Sequence, residues 1–159
     1  MTNPLLIKPI KQQGKVWCGP ACVQMILAYY RIKMSQKEIA HQLPVCKTGV
    51  GLSDIGIFFL TKNFEVKLKF WTKGVAPEWM GQYDPQILEK VLKQNLQGNF
   101  NRSWKSYRTK LLKFLNSGGD LILEPIWDSE IMEELCQKRP VLMNVNPRLL
   151  ERYGRGEKG

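Results

Sequence analysis

Apolar positions along the chain alternate between two periods, and the change of period marks the elements. Behind Pro20, the residues Cys22, Met25, Ile26 and Tyr29 recur at i, i+3, i+4 and i+7, which predicts an amphipathic helix over 19–31. Ser35 and Glu38 have capping-box spacing, with Met34 and Ile39 placed as a hydrophobic staple, so a second helix is predicted over about 36–43, ended by Pro44. A loop with Gly49 and Gly51 leads to a third helix, predicted from Ser53 to about Asn63, with Leu52 and Ile57 again spaced as a staple. Phe64, Val66, Leu68 and Phe70 then alternate with Glu65, Lys67 and Lys69, the period of a strand with one wet face.

The second half is more helical at first. Asp84 before Pro85 opens a helix carrying Ile87, Leu88, Val91 and Leu92, and Trp104, Tyr107, Leu111 and Leu115 mark another. Leu121 to Leu123 reads as a short strand after Gly118 and Gly119, and a helix with Ile131, Met132 and Leu135 starts near Asp128 or Ser129. Val141 to Val145, an apolar run after Pro140, reads as a buried strand. Helices come first and strands late, which favours an α+β fold over alternating β-α units. No repeat or linker divides the 159 residues, so residues 1–159 are expected to form a single domain.

Composition narrows the function classes. Hydrophobic residues at 43% and charged residues at 24% are those of a globular domain and set aside disorder and disulfide scaffolds. No apolar run approaches the roughly 18 residues of a membrane span, and the first ten residues do not read as a secretory signal. A cytoplasmic location follows as the default expectation.

The net charge of +10 raises nucleic acid as a partner. Five basic residues (Arg102, Lys105, Arg108, Lys110, Lys113) lie between Asn99 and Asn116 without an acid, but no nucleic-acid motif accompanies them. They are expected to be a solvated helix face, and no specific nucleic-acid binding is expected. The four cysteines Cys18, Cys22, Cys46 and Cys136 are expected to be reduced thiols, and their spacing with the single histidine, His41, gives no zinc pattern. No metal or other cofactor is expected.

The segment QQGKVWCGPAC carries the candidate chemistry. A cysteine at a helix start lies where unpaired N–H groups and the helix dipole favour the thiolate anion, and Cys18 has that position. Acyl transfer by a thiolate also needs donors for the developing oxyanion. A glutamine a few residues upstream can join the backbone N–H of the cysteine, and Gln12 is the candidate. Gly19, which would let a substrate backbone approach, and Trp17 are the candidate substrate-binding residues. Cys22 is expected in the buried stripe, and WCGPAC departs from the Cys-x-x-Cys spacing of thioredoxin-type redox chemistry by one residue.

The pattern Q-x5-C-G-P-A before an apolar helix resembles the papain-like cysteine peptidases of family 39, which include the bacteriocin-processing, double-glycine peptidase domains. MSQKEIA and LSDIGIFF are similar to the helices that follow the cysteine in that family, and EELCQKRPVLMNVN resembles its late helix and strand. The resemblance implies a papain-like fold, with the N-terminal helices that carry the cysteine packed on a late antiparallel sheet. It implies peptide or protein substrates, cleaved by attack of Cys18 with Gln12 in the oxyanion hole. Residues from about 71 to 120 do not match and are expected to be a helical insertion.

In the family a later strand brings the histidine base and a further Asp or Asn orients it. The chain runs out at RYGRGEKG where that histidine would stand, so the expectation is an incomplete fold and weak or absent turnover. His41, in the second helix, is not expected to replace it. An inactive peptide-binding relative and a papain-like acyl transferase are the alternative expectations.

Overall fold

The computed structural model describes residues 5–70, 81, 84–94 and 102–144. In chain order the elements are α1 (Cys18–Tyr29), α2 (Gln36–Gln42), α3 (Leu52–Leu60), β1 (Lys67–Lys69), α4 (Pro85–Gln94), α5 (Arg102–Asn116), β2 (Asp120–Ile122) and α6 (Asp128–Cys136). The mixture is α+β, as the order of periods implies.

Local signals set several helix starts. At α2 the Ser35 hydroxyl accepts from the Glu38 N–H while Glu38 Oε2 accepts from the Ser35 N–H at 2.8 Å, closing the capping box. At α4 the Asp84 carboxylate accepts from the N–H of Gln86 at 2.8 Å, filling an otherwise orphaned donor. The third helix starts one residue earlier than its spacing predicts, with Gly51 in the cap position, and it ends at Leu60.

The core has two parts, and α3 stands between them. Ile55, Phe58 and Phe59 of α3 are buried with Val23 and Leu27 of α1 and with Ile39 and Leu43. Leu52, Ile57 and Leu60 pack against a second cluster that includes Leu68, Leu88, Leu111, Phe114 and Leu121. A helix covered on both sides must be apolar almost all round, and LSDIGIFFL is.

Gly56 of α3 faces Phe114 of α5. A methyl group there would lie 2.6 Å from Phe114 Cε2, and Phe114 is fully buried.

Three expectations need correction. The sheet is not antiparallel: β1 and β2 pair in parallel, Leu68 opposite Leu121. The reason is connectivity, since α4 and α5 lie between the strands and return the chain in the same direction, as a parallel pair requires. The stretch around 71–120 therefore contains this crossover, and Leu88, Leu92, Leu111 and Phe114 from it are core residues.

The late run is no strand over its described part. Residues 141–144 are irregular, with Val141 and Met143 exposed and Leu142 packed on the α1 and α2 cluster; Val145 lies outside the described residues. Among the described residues no strand lies beside this run, since the described sheet consists of β1 and β2 alone.

The basic helix is not a uniform solvent face either. Arg108 is buried because it lies on the stripe of Leu111 and Leu115, at i, i+3 and i+7, and Lys110 pairs with Asp54 of α3 at 2.6 Å.

Gly56→Ala would ordinarily favour a helix by up to about 1 kcal/mol. Here overpacking against Phe114 should outweigh that gain and destabilise the protein by about 1–3 kcal/mol, read as a lower urea midpoint. Adding Phe114→Leu should restore part of the loss.

Candidate active site

The first hydrogen bond of α1 runs from the Ala21 N–H to the Trp17 carbonyl at 2.9 Å, which makes Cys18 the first residue of the helix. The N–H groups of Cys18 and Gly19 precede that bond, Pro20 has no N–H, and no side chain caps this end. Two backbone donors and the positive end of the dipole are therefore left at an exposed cysteine.

The chain entering Cys18 is a tight loop. Gln12 Nε2 donates to the carbonyls of Gly14 at 3.0 Å and Lys15 at 3.2 Å, and the Trp17 N–H donates back to the Gly14 carbonyl at 3.2 Å. The Trp17 ring lies across Gly14, where a methyl group would come within 2.7 Å of Trp17 Cγ. Gln12 is thus on the loop that leads into the cysteine, with its amide turned to the loop's own carbonyls. Trp17 is half-buried beside it.

Gly19 has a packing role. It is buried, and a methyl group there would overlap Val50 Cγ1 and crowd Ile55 Cδ1. Its missing side chain makes room for α3 and for the loop before it, and so seats the start of α1 on the core.

Gln36 is the residue the sequence reading missed. It is fully buried at the start of α2, its Oε1 accepting from the Gln13 N–H at 2.9 Å and its Nε2 donating to the Lys11 carbonyl at 2.9 Å. The two bonds bracket Gln12. The available signal was a polar residue next to a capping-box serine, and such a residue ordinarily faces solvent.

The other thiols have distinct settings. Cys22, one turn after Cys18, is half-buried, and burial first and the neighbouring Cys18 second push its thiol up. Cys46 is exposed, and hydrogen bonds from the Thr48 hydroxyl and backbone hold its thiol down, with the charge of Lys110 adding to the effect. His41 is exposed in the last turn of α2, and its Nδ1 lies 3.1 Å from the Lys37 carbonyl of its own helix. Among the described residues no group of three or more His, Cys, Asp and Glu is placed to hold a metal ion, and no helix is long and apolar enough to cross a membrane.

A surface groove of about 170 Å³ runs beside α3, lined by residues that include Pro44, Asp54, Phe58 and Lys113. None of Gln12, Trp17, Cys18 and Gly19 lines it. Cys18 itself is exposed.

An uncapped helix start with a cysteine and a glutamine-bearing loop are features of a cysteine peptidase-like domain. Residues 7–72 match the family model of the Peptidase C39 family, so this part of the chain is similar to a peptidase family 39 domain. The match covers the Gln12 loop, α1, α2, α3 and β1. The late segment EELCQKRPVLMNVN lies outside it. No curated protein and no solved structure matches the chain.

The settings of the thiols fix an order of reaction with iodoacetamide. Cys22 should be alkylated last. Thr48→Val should slow alkylation of Cys46 several-fold at pH 7, because removing the hydroxyl donor raises the thiol toward its ordinary value and lowers its thiolate fraction. Peptide mapping of the alkylated protein should show the rate at Cys18 unchanged.

Proposed function

We propose that Cys18 is the nucleophile of a cysteine peptidase-type reaction on peptide carbonyls, within a papain-like arrangement. The observation that carries this reading is the position of Cys18, exposed at the uncapped start of α1 inside the family 39-like segment.

The sulfur attacks the carbonyl carbon, forming a C–S bond as the π pair moves to oxygen. The backbone N–H of Cys18 and the Gln12 amide receive that oxyanion. For this the amide exchanges its longer bond, 3.2 Å to the Lys15 carbonyl, for one to a full negative charge, which is roughly twice as strong. Collapse re-forms the C=O, breaks the C–N bond and expels the amine, which takes up a proton from water, and leaves a thioester. Water releases the acyl group in hydrolysis, and an amine in its place would make the same intermediate serve acyl transfer.

Turnover needs a general acid and base as well, worth about 10²- to 10⁴-fold. His41 is the sole histidine of the sequence, and its Nδ1 is engaged by its own helix. Trp17, half-buried beside the cysteine, offers an aromatic surface to the peptide.

The test is protection of Cys18 from iodoacetamide by a peptide aldehyde ending in two glycines, whose hemithioacetal carries the same developing oxyanion. Wild type should be protected. Gln12→Ala should weaken protection about 10-fold or more, while the alkylation rate without aldehyde stays within about 2-fold. Protection that is unchanged in Gln12→Ala would remove the oxyanion role, and no protection in wild type would remove the nucleophile.

A further inference from the structure

We infer that Gln36 is a positioning residue for the oxyanion donor: its side-chain amide clamps the backbone on both sides of Gln12 and so sets where the Gln12 amide can reach. The inference rests on the oxyanion role of Gln12 proposed above.

The geometry is specific. One partner is an N–H and the other a C=O, so only a group that both accepts and donates satisfies them, and a primary amide does so in one orientation. The clamp is closed to water, since Gln36 has no exposed surface. Buried polar bonds of this kind fix a conformation strongly, because either partner left alone loses its hydration without compensation.

The anchor itself is tied down on both sides. Gln36 follows the capped Ser35, and Ile39, one turn on, is fully buried against the α1 cluster. Gln24 of α1 adds a second tie, its Nε2 donating to the Met34 carbonyl at 3.1 Å just before the cap. One path of contacts therefore runs from α1 through α2 and Gln36 to the loop that carries Gln12, and that loop returns to Cys18. The nucleophile and its proposed donor are held to one rigid frame, the arrangement that preorganised charge stabilisation requires.

The test compares aldehyde protection of Cys18 with its plain alkylation by iodoacetamide, which forms no oxyanion, in Gln36→Met, Gln12→Ala and the double variant. Gln36→Met keeps the volume and removes both bonds. The expected result is a loss of protection in Gln36→Met comparable to that in Gln12→Ala, little further loss in the double variant, and an alkylation rate near wild type.

Loss in Gln12→Ala with none in a folded Gln36→Met would overturn the clamp and leave the oxyanion reading standing. No loss in either variant would overturn both. If Gln36→Met does not fold, Gln36→Glu decides the matter. Its carboxylate can accept from Gln13 but not donate to Lys11, so protection relative to alkylation should be weak at pH 8. It should recover toward wild type as the pH falls and the carboxyl regains its proton. A ratio that tracks wild type at every pH would overturn the clamp.

Discussion

The burial of α3 on two sides is the constraint on which the rest of the structure depends. One side closes the cluster formed with α1 and α2, and the other meets Phe114 and the short parallel sheet. Gly56 sets how near α5 can come on one side, and Gly19 sets how near the start of α1 can come on the other. Both glycines are buried for the same reason: a side chain would occupy space already filled by Phe114 or by Val50. The place of Cys18 is thus a consequence of core packing, although the cysteine itself is exposed.

From that core the site is built outward by hydrogen bonds. The capping box fixes the start of α2, the next residue holds the Gln12 loop, and the loop turns through Gly14 into the uncapped end of α1. The fold leaves the start of α1 without a side-chain cap, turns the Gln12 amide to the carbonyls of its own loop, and satisfies the backbone groups on both sides of Gln12. Most of the network is side chain to backbone, so its geometry depends on few residues, and Gln36 supplies two of its bonds.

Much of this was legible in the sequence because its signals are local. S-x-x-E gave α2 to within a residue, Asp84 before Pro85 gave α4, and the cysteine and glutamine spacing led to the family 39-like segment. The errors came where long-range packing overrides local pattern. Strand alternation over 64–70 says nothing about the partner, so the parallel pairing through α4 and α5 was invisible. The basic run from Arg102 to Lys113 was read by charge, while the heptad-like spacing of Arg108 with Leu111 and Leu115 places it in the core. Val141 to Val145 reads as buried on composition, and among the described residues no strand neighbours it, with Val141 and Met143 exposed. Gln36 had no signal beyond its place after a capping-box serine, since a buried glutamine and a solvated one look alike until the loop they face is known.

The most direct measurement of the central claim is a crystal structure of the full chain with a peptide aldehyde ending in two glycines. The expected result is a single C–S bond to Cys18, with the hemithioacetal oxygen within hydrogen-bond distance of the Cys18 N–H and Gln12 Nε2, and with Gln36 still bonded to Lys11 and Gln13. An adduct on Cys46 or Cys136 with Cys18 free, or an oxygen turned away from both donors, would contradict it.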